Sequence, residues 1–141
     1  MRLSAIVKVD SKGRITIPQS VRNALGIETG MLMLLIADID KKEIYITPIM
    51  TASDQVYGMN VTLVDRPGAL AKVSSKFAEY NVDIIATRCT SVIRGEEGTC
   101  LIVADFSRAK ISPEKLRDIL TELDDVIQVK IRKFEAGLEE I

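Results

Sequence analysis

The chain has no histidine. That removes the commonest general base near neutral pH and the commonest metal ligand. It has only two cysteines, Cys89 and Cys100, too few for a disulfide scaffold or an all-cysteine zinc site. Buried structural thiols are the expectation. On neighbouring strands the two sulfurs could approach, and a reducing cytosol would keep them apart. No stretch reaches the roughly 18 consecutive apolar residues of a membrane span. Met1-Arg2-Leu3-Ser4 leads into an alternating pattern and lacks the apolar core of a signal peptide, which sets a cytoplasmic location as the expectation. Low-complexity tracts and internal repeats are missing as well. So are a nucleophile–base pair, a metal-ligand cluster and a phosphate-binding glycine loop, and neither catalysis nor a cofactor is expected. Asp124-Asp125 reads as a polar helix stop rather than a carboxylate pair.

What is present is an ordinary globular composition, 47% hydrophobic and 28% charged over 141 residues, enough for one domain or two small ones. The net charge of −1 and pI near 5.6 argue against a general nucleic-acid binder when the chain is taken whole. The distribution is uneven. Residues 1–25 hold Arg2, Lys8, Lys12, Arg14 and Arg22 against Asp10 alone. A solvated basic surface would look the same.

The most informative stretch runs from Val9 to Gly26. Val7 and Val9 alternate with Lys8, and Ile15 and Ile17 alternate with Arg14 and Thr16, a period of two that marks half-buried strands. Ser11-Lys12-Gly13 fits a three-residue hairpin loop with Gly13 in the left-handed position. That register sets Asp10 against Arg14, Val9 against Ile15, Lys8 against Thr16 and Val7 against Ile17. Lys8, Asp10, Arg14 and Thr16 then share the polar face. Pro18 suits the first position of a two-turn helix whose stripe is Val21, Ala24 and Leu25, and Gly26 stops it. Arg22 lies at the edge of that stripe, where its head can reach solvent or a partner.

The pattern Val-Asp-x-x-Gly-Arg-(apolar)-x-Ile-Pro, followed by Arg22 and Leu25-Gly26-Ile27, resembles the AbrB/SpoVT-type swapped-hairpin DNA-binding domain over roughly residues 4–49. The resemblance implies a dimer of interleaved hairpins that presents Lys8, Lys12, Arg14 and Arg22 to double-stranded DNA. Lys12 at the tip would meet phosphate, while Arg14 and Arg22 could also read base edges. Alternatively, Arg14 only pairs with Asp10 across the hairpin.

Met31 to Ile36 is a continuous apolar run, expected as a strand buried on both faces, and Ile44 to Pro48 is the return strand. So small a domain buries too little to stand alone, so the run points to a dimer core and to no stable monomer. Thr51 to Gln55 reads as a short polar linker. From Val56 the order becomes strand (56–64), helix (69–80), strand (84–93), strand (99–106), helix from Ser112-Pro113, and strand (126–134), a ferredoxin-like βαββαβ pattern. The helical stripes are Leu70, Val73, Phe77 and Tyr80, then Leu116, Ile119, Leu120 and Leu123.

Asp65-Arg66-Pro67-Gly68-Ala69-Leu70 before the first of these helices, with Asn81-Val82-Asp83-Ile84 after it, resembles an ACT domain over roughly residues 56–134. The expected fold is therefore α+β: a swapped-hairpin domain at 1–50, a linker at 51–55, an ACT domain at 56–134 and a tail at 135–141. The resemblance implies an amino acid held at a subunit interface, near Asp65, Gly68, Ala69 and Asp83. Gly68 would let ligand approach the backbone at a helix N-terminus, and the aspartates would accept from an ammonium group. An ACT fold used only for dimerisation is the alternative. The whole arrangement resembles prokaryotic transcription regulators that couple DNA binding to a small metabolite. Its expected partners are duplex DNA, a second copy of the chain and an amino-acid effector, with no membrane. An antitoxin-like interaction protein and a regulatory subunit of a biosynthetic enzyme are the rival functions.

Overall fold

Two separate sheets organise the chain, one in Met1–Met50 and one in Thr51–Ile141. The protein is seen here as a computed structural model that describes residues 1–135. Of the expected tail, all but Glu135 lies outside the described residues.

In the first unit, the helix α1 (Gln19–Leu25) is followed by the strands β1 (Met33–Asp38) and β2 (Glu43–Pro48). The strands pair antiparallel from Met33↔Pro48 to Asp38↔Glu43. Their turn is closed by the Lys41 N–H, which donates to Asp38 Oδ1 at 3.0 Å. Pro18 sits one position earlier than expected, as the N-cap of α1. Gly26 ends the helix in the left-handed region at φ +66°, and the Ile27 N–H returns to the Arg22 carbonyl at 2.9 Å.

Two expectations for this unit are corrected. The hairpin at 10–14 forms as a turn, but no ladder joins 7–9 to 15–17 within the chain. Across it, backbone bonds run only from the Asp10 N–H to the Arg14 carbonyl and from the Gly13 N–H to the Asp10 carbonyl. Nor is the apolar run buried on both faces. Leu35 is 57% exposed, and Ile44 opposite Ala37 is 66% exposed. A two-stranded sheet has no interior position, and α1 buries no residue of its own. Ile6, Val7, Val9 and Ile15 are exposed as well.

The second unit follows the order β3 (Val56–Val64), α2 (Ala69–Glu79), β4 (Asp83–Ile93), β5 (Glu97–Asp105), α3 (Pro113–Thr121) and β6 (Val126–Lys133). Its strands lie in the order β4-β5-β3-β6, all antiparallel. This is the ferredoxin-like arrangement that the βαββαβ order implies. Met59, Val61 and Leu63 alternate along β3 into the core, where they meet Ile102, Phe77, Leu116 and Leu120. The buried line of α2 is Ala69, Val73 and Phe77. Leu70, expected on that line, is 37% exposed. One residue turns the helix by ~100° and carries Leu70 to the rim. The N-cap expected for α3 is present, with Ser112 Oγ accepting the Lys115 N–H at 3.2 Å.

The segment 51–55, read from sequence as a linker, is fastened to the end of β5. Thr51 Oγ1 and Ser53 Oγ reach Asp105 at 3.3 and 2.9 Å, and the Phe106 N–H donates to the Gln55 carbonyl at 2.8 Å. Cys89 and Cys100, expected as separate thiols, are joined in a disulfide. They face each other directly in the β4–β5 register, with Cα atoms 4.0 Å apart. Cross-strand neighbours bring their Cβ atoms close on one face of a sheet, so this pairing needs no rearrangement of the fold.

Candidate nucleic-acid interface and ligand loop

The basic turn is organised by a carboxylate. Asp10 Oδ1 accepts the backbone N–H groups of Lys12 and Arg14, each at 2.9 Å. Its Oδ2 accepts Arg14 Nε at 2.7 Å. These bonds, with the Arg14 N–H foremost and its guanidinium next, outweigh the small effect of burial and hold the Asp10 carboxyl below its usual range. Gly13 supplies the left-handed residue the turn needs, at φ +77°. Arg14 therefore pairs with Asp10, yet its side chain stays 69% exposed, so the pairing orients the head without hiding it. Arg22 is oriented in a comparable way, its Nε donating to the Ile17 carbonyl at 3.0 Å. Lys8 and Lys12 are exposed. The structure thus gathers Lys12 and Arg14 in one turn and presents Lys8 and Arg22 on the flanking segments.

The second unit carries the glycine loop. Gly68 caps α2 at φ +88°, and no side chain caps the helix. A Cβ built on Gly68 would meet nothing within 4 Å, so the approach to the backbone is open. Ala69 begins α2 and is 1% exposed. Asp65 faces the β4–β5 hairpin. Its Oδ2 accepts Ser91 Oγ at 3.1 Å and the Gly95 N–H at 2.9 Å, and its own N–H donates to the Glu96 carbonyl at 3.1 Å.

Asp83 does not belong with these three residues in one copy of the chain. It opens β4 opposite Asp105, which pairs with Val56, whereas Asp65 follows Val64 at the other end of β3. The eight steps from Val56 to Val64, at ~3.3 Å each, place the two ends roughly 26 Å apart. Within one copy of the chain Asp65, Gly68 and Ala69 stay together, and Asp83 lies apart from them.

Sequence reasoning missed a charged cluster beside the loop. Asp125, read as part of a helix stop, is 1% exposed. It pairs with Lys72 Nζ at 2.8 Å and with the Arg66 guanidinium, while its carbonyl accepts the Val64 N–H at 2.8 Å. Arg66, Lys72 and Asp125 are scattered along the sequence, and no local periodicity joins them. The one available signal was the pair of cations flanking Gly68. Among the described residues, no group of three or more Cys, Asp or Glu side chains could hold a metal ion, and no helix is long and apolar enough to cross a membrane.

Comparison with known families also divides the chain in two, with the first match running past Met50 into the segment held against β5. Residues 6–54 match the family described as antidote-toxin recognition MazE, bacterial antitoxin. Residues 58–128 match the ACT domain family. Among solved structures, the chain is similar to the ACT domain from GTP pyrophosphokinase of Chlorobium tepidum, at 16% identity over 57% of this chain and 100% of that one, with a TM-score of 0.46. It is also similar to the C-terminal domain of the MgtC protein from Mycobacterium tuberculosis, at 16% identity over 65% of this chain and 100% of that one, with a TM-score of 0.48. No curated protein matches.

Proposed function

The chain belongs to the ACT domain family, with an antitoxin-type domain ahead of it, and from that premise we propose that it is a DNA-binding transcription regulator whose operator affinity responds to an amino acid or similar small metabolite. The observation that carries the DNA half is the turn at 10–14. A buried or randomly placed arginine would suggest packing or solvation. Here Asp10 orients Arg14 by its side chain and backbone together while leaving it mostly exposed. Such a fork, fixed before binding, loses less conformational freedom on meeting phosphate or guanine.

The uncovered apolar surface of the first unit supports a homodimer. Leu35, Ile44, Ile6 and Val9 lie open in one copy, and the segments flanking the turn lack ladder partners. A second copy would supply both. The ligand half rests on Gly68, whose open backbone position at a helix start suits a carboxylate. The ammonium side is less well served, since Asp65 Oδ2 already holds two donors. An effector should change operator affinity by roughly 5–150-fold, the usual range of allosteric coupling, and DNA must change effector affinity by the same factor.

The experiment is a titration of labelled duplex DNA with the full chain, with and without an amino acid first identified by its thermal stabilisation of the protein. Curves that coincide at saturating effector and fixed salt would reduce the ACT domain to a dimerisation module. A second reading is favoured by the description of the N-terminal family, antidote-toxin recognition: the first unit would bind a protein partner in place of DNA. Absence of any salt-sensitive DNA binding would turn the account to that reading.

A further inference from the structure

We propose that Cys89–Cys100 is a redox-active disulfide, exchanged with a dithiol reductant, whose state sets the mobility of the glycine loop. Three observations meet at this pair. Cys89 is an exposed residue on the edge strand β4, so the proposed attack falls on it rather than on the buried Cys100. Cys100 lies in the core cluster and is 3% exposed, while Cys89 is outside that cluster. The bond therefore ties an exposed edge residue to the core, and the proposal requires that the unit keep its fold when the bond is cut. Lastly, the bond lies two residues from Ser91, which with Gly95 and Glu96 holds Asp65 at the head of the glycine loop.

The β4–β5 ladder explains why the bond has local consequences. It shifts register between Ile84 and Ala86 and again between Ser91 and Ile93. Cys89–Cys100 lies between these breaks and locks β4 to β5 just before the second one. Without it, the end of β4 is held by a short edge ladder and by its bonds to Asp65. Edge segments with few buried contacts open at low free-energy cost. Loosening there releases the Ser91 and Gly95 donors from Asp65, and the turn that precedes Gly68 loses its support.

The exchange is a two-electron step. A thiolate of the dithiol attacks Cys89 Sγ, the Cys89–Cys100 bond breaks, and Cys100 departs as a thiolate that takes up a proton. The second thiol of the reductant then displaces Cys89 from the mixed disulfide. The protein gains two thiols and the reductant becomes its own disulfide. This proposal is independent of what, if anything, binds at Gly68.

The test uses the folded full-length chain, treated with dithiothreitol in native buffer and then with oxidised glutathione. Alkylation and mass measurement count the thiols, and hydrogen exchange follows the backbone. The expected result is loss and full recovery of the disulfide without unfolding. In the reduced form, amides at 91–96 and 65–69 exchange faster, on the order of tenfold, while those at 73–77 and 116–120 are unchanged. Cys89→Ser should show the reduced pattern in both buffers. A bond that resists dithiothreitol while the chain stays folded overturns the proposal, as does a chain that never forms it. So does unchanged exchange at 65–69 on reduction.

Discussion

Lys72 Nζ sits 2.8 Å from Oδ2 of Asp125, joining the first turn of α2 to the start of β6 across 53 residues of sequence. Asp125 is almost wholly buried, whereas Lys72 is 57% exposed and Arg66 is 54% exposed. The carboxylate pays the desolvation and the cations do not. Removing one cation is therefore the damaging change, because it leaves a buried charge less compensated. Lys72→Met should lower stability by about 1–3 kcal/mol in urea unfolding. An unchanged midpoint would mean that Arg66 alone suffices.

The core of the second unit should respond most sharply at Phe77, which is 0% exposed on the inward line of α2. Phe77→Ala removes most of a buried ring and leaves a cavity, at a cost of about 3–5 kcal/mol. Leu70→Ala, at the rim, should cost much less. Equal losses at the two positions would contradict the helix orientation described above.

Acid should act on Asp105. Burial pushes its carboxyl up, but hydrogen bonds from Ser107, Ser53 and Thr51 together win and hold it below its usual range. A lowered folded-state pKa gives stability that is present above the unfolded value, near 3.9, and is lost as pH falls through the folded one. Asp105→Asn should thus be destabilised relative to wild type at pH 7, with the difference shrinking in the acid range below about pH 4. Thermal unfolding of both proteins across that range checks the sign. A difference that grows on acidification would refute it.

Gly68 separates strain from steric block. Its φ of +88° disfavours any other residue, at a cost of roughly 1–2 kcal/mol, but a new Cβ there would touch nothing. Gly68→Val should therefore fold with modestly reduced stability, bind DNA without effector as wild type does, and lose the response to effector. Retention of the full response would place the effector elsewhere.

Much of the architecture was legible in the sequence because period-two runs, helix stripes and turn residues are local signals. Gly13, Gly26 and Ser112 act where the sequence placed them, and the βαββαβ order follows from the spacing of the elements. Other features were not legible because they depend on contacts distant in sequence. The Arg66–Lys72–Asp125 cluster needs the fold to assemble it. Asp83 looked close to Asp65 only because both flank α2, although a helix carries the chain from one end of the sheet to the other. The composition of Met31–Ile36 suggests burial on both faces, yet burial depends on what covers a strand, and in one copy of the chain Leu35 remains open.

The central claim is that the exposed basic turn meets DNA. Fluorescence anisotropy of labelled duplex DNA, titrated with the full chain at several salt concentrations, tests it most directly. Wild type should bind with an affinity that falls steeply as salt rises, and Lys12→Ala should lower the slope of log K against log salt by about 1. Arg14→Ala should weaken binding by about 1–3 kcal/mol if its fork reads a base. Binding without salt dependence, or a Lys12→Ala variant that is indistinguishable from wild type at every salt, would contradict the account.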